Sequence, residues 1–418
     1  MNQLIGGVFA LIGIYKCIPL VHGSQGCANY IKHIIVEHFK EPTDIATTGF
    51  HEYSAIQGEG IENIIKAIEN IEVSKNPELI GICTTGLSET IGENIKLDIK
   101  NNYNNKNIVA INTPSYSGSH IDGYNNAMYS IISGILEKDN EIEIKKEKNN
   151  KINLIHGVVN PGDVRELQHI FNNLGIQYNL LNDIKSMDRP LRLPKEEYPK
   201  CDTTIDNIKN SIYSKATVSF GMEGVDGASY LEKYGVISCN LKYPIGIKNT
   251  DKFILNLLDT AGENDISDIS NIPEPLLDDR GYALDAMANT NAKLKNKKVA
   301  IYGAPDQVIG LVDLANEIGL KVVAVLSNTK TNYFAETIQK LNRNIEVISG
   351  DLYDFGKSLK DKNIDFIIGD YRSKYIANSL NIPSLKVGFP VIDVYGHPKK
   401  VMLGYNGALN LINEMANL

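Results

Sequence analysis

Cysteine is scarce in this chain and forms no pattern. Five cysteines (Cys17, Cys27, Cys83, Cys201, Cys239) are scattered over 418 residues. An odd number with no C-x-x-C pair fits free thiols in a reducing compartment and argues against a disulfide framework. Long apolar runs are missing too. The apolar start, residues 4–14, is broken by Gly6, Gly7 and Gly13 and lacks the basic lead and small-residue cleavage site of a secretory signal. No run reaches the roughly 18 apolar residues of a membrane span, so a cytoplasmic location with no membrane partner is expected. Positive charge is also in deficit. With 42 Lys and Arg against 50 Asp and Glu, the net charge is -8, which leaves no general basic face for phosphates and no nucleic-acid partner. No H-E-x-x-H, G-x-S-x-G or Walker loop occurs, so the common metalloprotease, hydrolase and NTPase signatures are absent.

What is present suits a soluble α/β protein. Hydrophobic residues make up 43% and charged residues 22%, a globular balance, and the length suits two or three domains at roughly 100 to 200 residues each. Short β-branched runs, turns and amphipathic stretches alternate along the chain, as in parallel α/β units. In the first part, Leu79-Ile80-Gly81-Ile82 and Ile108-Val109-Ala110-Ile111 predict buried strands, and Ile61, Ile64, Ile65 and Ile68 predict one face of a helix. After a charged, Asn-rich stretch at 137–150, residues 152–159 predict a strand. Asn160-Pro161-Gly162-Asp163 then opens a helix that Gly175 closes. A long helix over 279–294 leads to Lys295–Lys298 and to a third unit: strand Val299-Ala300-Ile301-Tyr302, turn Gly303-Ala304-Pro305-Asp306, helix 308–318, strand 321–326. That turn lacks the three spaced glycines of a dinucleotide fingerprint, so NAD is not expected. The Lys145–Lys148 and Lys295–Lys298 runs read as solvated linkers. The expectation is an α/β fold of three Rossmann-like domains with parallel sheets flanked by helices, bounded at 1–148, 149–293 and 294–418.

The most informative stretch is His22-Gly23-Ser24-Gln25-Gly26-Cys27, followed by a helical run from Ala28 to about Lys40. It sets a thiol where a glycine-rich loop opens into a helix. Unpaired N–H groups and the positive end of the helix dipole favour thiolate there, which makes Cys27 the candidate metal ligand. The competing reading is a small buried hydrophobe. A four-iron cluster wants about four thiolates, so other ligands must come from another subunit, or from Cys17 and Cys83, whose spacing gives no support. A second stretch, Thr84-Thr85-Gly86-Leu87-Ser88-Glu89-Thr90-Ile91-Gly92, follows a strand at the end where α/β proteins place their sites. Its plain alternative is a helix start capped by Ser88 with Glu89 in the first turn. His33 and His38 read as ordinary surface or packing histidines.

The string Pro19-Leu20-Val21-His22-Gly23-Ser24-Gln25-Gly26-Cys27, with His38-Phe39-Lys40-Glu41-Pro42 after it, resembles the opening of β-like subunits of the nitrogenase component 1 family. Further resemblances lie at Thr84–Thr90, Asn112–Gly118, Asn160–Asp163, Tyr302–Asp306, Gly388–Pro390 and Leu403–Gly407, covering essentially the whole chain. The chain starts almost at the first family position, so a shorter leading segment than is common is expected. By the resemblance, the catalytic β subunit places cysteines for its eight-iron P-cluster at positions that are Asn2, Cys27 and Gly86 here, so two of three ligands are missing. Cys17 and Cys83 are offset in sequence and are not counted as replacements.

One retained cysteine is similar instead to the β-like subunit of the scaffold that matures the iron-molybdenum cofactor. That resemblance implies an α-like scaffold partner (NifE) in a heterotetramer, with a [4Fe-4S] cluster at each interface holding three partner thiolates and one from Cys27. Gly23, Gly26 and Gly86 would leave the backbone room around its sulfurs. It also implies that the partner holds the transient iron-molybdenum cofactor precursor, that the nitrogenase iron protein visits, and that this chain has no independent active site. The alternatives are a subunit of a tetrapyrrole-type reductase or a nitrogenase β subunit.

Overall fold

The computed structural model describes residues 1–92, 94–103, 106–138, 147–191, 196, 198–262 and 268–418; Lys145 and Lys146 of the first lysine run lie outside the described residues. The strands fall into three sheets. The first has the order β2-β1-β3-β4, with β1 Cys17–His22, β2 Ala46–Thr47, β3 Leu79–Thr84 and β4 Ile108–Ile111, all parallel. The second has the order β6-β5-β7-β8, with β5 Ile152–Ile155, β6 Tyr178–Leu180, β7 Ala216–Phe220 and β8 Ile237–Leu241, and β5 runs parallel to both its neighbours. The third is parallel throughout in the order β11-β10-β9-β12-β13, with β9 Lys298–Gly303, β10 Lys321–Ser327, β11 Glu346–Ile348, β12 Phe366–Gly369 and β13 Ser384–Lys386. This is the expected α/β class, with parallel sheets flanked by helices. The chain divides into two compact units, Met1–Val158 with Gln177–Asn240, and Val159–Ile176 with Leu241–Leu418. The first carries the first two sheets and the second carries the third.

The local reasons are visible in the residues. All six residues of β3 are buried, as a strand covered on both faces requires. Helix Gly60–Lys75 presents Ile64, Ile68 and Ile71 to the core shared with Ile18, Leu20, Ile80 and Ile82, an i, i+4, i+7 stripe. Ile61 and Ile65 are only half-buried at its edge. Helix Pro161–Asn173 starts as its sequence predicts, with Pro161 in the first turn and Asp163 completing a capping box with Asn160. Gly175 follows at φ +69. The strand expected over 152–159 is shorter, because the chain turns at Gly157, φ +77, after Ile155. Helices Glu274–Leu294 and Pro305–Glu317 take the places expected for them.

One element was not anticipated. Residues Gln3–Ile12 form a helix whose ten residues are all buried. Its glycines do not interrupt it, because they are contact points. A Cβ on Gly6 would fall on the carbonyl of His120, and one on Gly123 on the carbonyl of Gln3, where helix His120–Leu136 crosses. Only hydrogen at both Cα atoms lets the two backbones approach so closely. No helix among the described residues is long and apolar enough to cross a membrane.

Candidate functional site

The carboxyl ends of β1, β3 and β4 bring the predicted site residues to one rim of the first sheet. After His22, Gly23 and Ser24 lead into helix Gln25–Phe39, and Ser24 is its N-cap, accepting from the Cys27 amide at 3.4 Å. The Ser24 hydroxyl also lies 3.4 Å from Cys27 Sγ. Cys27 is exposed. After β3, Thr85 caps helix Gly86–Ile91. This corrects the expectation for Ser88, which sits at the third helical position and accepts from the Thr85 amide at 2.8 Å, so each residue serves the other's backbone.

These loops hold one another. Thr85 Oγ1 donates to the His22 carbonyl at 3.0 Å, and a Cβ on Gly23 would fall inside the Thr85 side chain. A Cβ on Gly86 would lie 2.5 Å from Ser115 Oγ in the loop after β4. Gln3 Nε2 donates to Ser117 O in that loop at 3.0 Å, beside Asn2 at the start of the N-terminal helix. Asn2 Oδ1 is buried with no hydrogen-bond partner. On the other flank, Thr47 Oγ1 donates to Gly23 O at 3.1 Å and the Gly23 amide donates to Thr48 Oγ1 at 3.3 Å. His22 stacks on Phe50 with ring centroids 4.7 Å apart. The segment thus fixed leads into His51 and Tyr53, which with Ser24 and Leu87 line an open cleft of about 470 Å³. Sequence reasoning missed this segment, since Thr47-Thr48-Gly49 carries only a turn signal. Tyr30, Tyr53, Ile56 and Tyr116 are all more than half exposed around the rim.

The space beside the three predicted glycines differs. At Gly23 and Gly86 it is taken by Thr85 and Ser115, whereas at Gly26 the nearest atom to a Cβ would be Ser24 Oγ at 3.8 Å. Burial separates the thiols as well. It pushes Cys83 up to about 12, raises Cys17 well above the usual thiol range, with Cys83 adding to the effect, and raises Cys201, with Asp183 adding to it. Such thiols stay protonated and make poor ligands. His33 is exposed and His38 is buried against Phe39, their rings 4.6 Å apart.

Among the described residues no group of three or more His, Cys, Asp and Glu side chains could hold a metal ion. What the rim offers an iron-sulfur cluster is one accessible thiol at a helix start, Cys27, a residue type that could ligate iron.

Residues 2–418 match the family described as nitrogenase component 1 type oxidoreductase. The chain is 35% identical to the nitrogenase molybdenum-iron protein beta chain of Methanococcus maripaludis, over 99% of this chain and 92% of that one. It is 36% identical to the nitrogenase vanadium-iron protein beta chain of Trichormus variabilis, with the same coverage. A solved structure of nitrogenase Cp1 at pH 6.5 superposes with a TM-score of 0.92 at 33% identity, covering 100% of this chain and 91% of that one. With a family match along essentially its whole length and relatives above 30% identity, the chain belongs to the nitrogenase component 1 family as a β-chain-like member.

Proposed function

We propose that this chain is the β-like subunit, NifN in type, of the scaffold on which the nitrogenase iron-molybdenum cofactor is matured. It pairs with an α-like subunit, NifE in type, in a heterotetramer in the cytoplasm, and gives Cys27 as one thiolate to a [4Fe-4S] cluster at the interface. The single observation that carries the reading is the thiol set at the rim: Cys27 is exposed, while the two other positions that bear cluster cysteines in the catalytic branch are Asn2 and Gly86. Cys83 does not stand in for them, being buried and held protonated. When bound, the cluster supplies electron relay.

This chain's own residues prepare the ligand. Ser24 starts the helix and sets a hydroxyl beside the Cys27 sulfur, where it can donate to a thiolate. Thr85, Thr47 and Thr48 hold the Gly23 backbone from both sides. Gly26 leaves the space next to Cys27 open. The exposed tyrosines and Ile56 supply apolar surface of the composition that partner interfaces bury. The cofactor precursor stays mainly with the partner, and the iron protein binds transiently. Within this reading the chain divides at 148/149 and 293/294, with the ligand in the first part.

A second reading, a catalytic nitrogenase β subunit, is favoured by the names of the relatives, which are beta chains of molybdenum-iron and vanadium-iron proteins. Iron stoichiometry separates the two. Co-purified anaerobically with the α-like partner, the scaffold reading expects about four cluster irons per αβ pair at this interface, and a P-cluster-like eight-iron signal would overturn it in favour of the second.

A further inference from the structure

The Ser24 hydroxyl takes part in two hydrogen bonds, and each constrains the other. Its oxygen accepts from the Cys27 amide at 3.4 Å, which makes Ser24 the N-cap of helix Gln25–Phe39. With a lone pair engaged on the helix side, the hydroxyl proton is left for the Cys27 sulfur, 3.4 Å away. The cap also commits the Cys27 amide, so that N–H is directed at Ser24 and not at its own side chain.

The threonine hydroxyls of the surrounding loops are spent elsewhere. Thr85 Oγ1 donates to His22 O at 3.0 Å and Thr47 Oγ1 to Gly23 O at 3.1 Å. Thr48 Oγ1 accepts from the amides of Gly23 and Phe50, both at 3.3 Å, and lies 3.2 Å from His22 Nδ1. Ser24 is the residue whose proton is placed on the sulfur. Gly26 sets no side chain over it: a Cβ there would meet nothing nearer than Ser24 Oγ at 3.8 Å.

We propose that Ser24 is a positioning residue that acts through Cys27 and raises the reduction potential of the cluster to which Cys27 contributes. The inference rests on the reading of Cys27 as a cluster ligand. A hydrogen bond to a ligating sulfur stabilises negative charge on it, and reduction adds negative charge, so the bond is stronger in the reduced state and favours it. A partner that covers the rim lowers the local dielectric and makes the bond count for more. The cap and the potential are separable properties of one hydroxyl. Losing the cap weakens the start of the helix, whereas losing the donor moves the potential.

The test is a redox titration, followed by electron paramagnetic resonance, of the complex with the α-like subunit purified without oxygen, in wild type, Ser24→Ala, Ser24→Gly and Ser24→Thr. At the wild-type midpoint, the ratio of reduced to oxidised cluster is expected to fall about tenfold in Ser24→Ala, a shift of about 59 mV to more negative potential for a one-electron couple. Ser24→Thr keeps the hydroxyl and should restore the wild-type value. Ser24→Gly should show the same shift as Ser24→Ala; glycine costs a cap little, so this variant decides the matter if the alanine variant fails to assemble. Equal potentials in the wild type and the variants without the hydroxyl, at unchanged cluster iron, overturn the role of Ser24 and leave Cys27 a ligand. A wild-type complex whose iron content and spectrum do not respond to Cys27→Ala overturns the ligand reading, and the role of Ser24 with it.

Discussion

Gly23 and Thr85 occupy one space: a Cβ on Gly23 would fall inside the Thr85 side chain, whose hydroxyl meanwhile donates to His22 O at 3.0 Å. The loop before Cys27 and the loop before Gly86 are therefore set by each other. Gly23→Ala is expected to destabilise the chain by about 1–3 kcal/mol, the usual cost of overpacking. Thr85→Ala in the same chain should recover part of that loss, giving a double-mutant cycle that is clearly non-additive in denaturant titrations. Additive costs would mean that the two loops do not press on each other.

Thiol reactivity follows from burial. With iodoacetamide on the native full chain, mass spectrometry should find Cys27 modified well before Cys83, which is fully buried and held near 12. Cys83 should react only once the chain unfolds. Comparable rates at the two would contradict the assignment of Cys27 as the available sulfur.

How far the sequence led is clearest at these loops. The strand ending near Cys83 and the helix after the glycine-rich turn before Cys27 were legible, because such turns have few alternatives; the strand Cys17–His22 and the exposure of the Cys27 thiol were not. The Thr47–Phe50 segment and its cleft were not, since their place depends on hydrogen bonds to a residue more than twenty positions away. Nor was the N-terminal helix. Glycines in an apolar stretch weaken a helix by local propensity, and only contacts distant in sequence explain the two inside this one: His120 beside Gly6, and Thr113 with Cys83 beside Gly7. The cap at Thr85 was misread by three positions because Ser88 is an equally good capping residue by type.

Acid should destabilise the first unit through His156. This buried ring has Nδ1 2.9 Å from Gly157 O and Nε2 2.7 Å from Asn182 O, and burial drives it down to about 4. Burial favours the neutral ring in the folded chain, outweighing the two carbonyls, which favour the cation, whereas in the unfolded chain the ring takes up a proton near 6.5. Stability is therefore fully present above that value and is lost as pH falls towards 4, by up to about 3 kcal/mol. Burial pushes Glu166 up to about 7, so it acts with the opposite sign between 4.5 and that value, and the comparison must be with a variant. His156→Gln should lose less stability than the wild type between pH 6.5 and 4, measured by urea unfolding. An unchanged acid slope would contradict the account of His156.

The central claim is that this chain gives one thiolate, Cys27, to a cluster completed by a partner. It is tested most directly by iron content and electron paramagnetic resonance of the complex with the α-like subunit, purified without oxygen, before and after Cys27→Ala. The account predicts about one four-iron cluster per αβ pair in the wild type, lost or spectrally altered by the substitution in a complex that still assembles. The same iron content and the same spectrum in both proteins would contradict it.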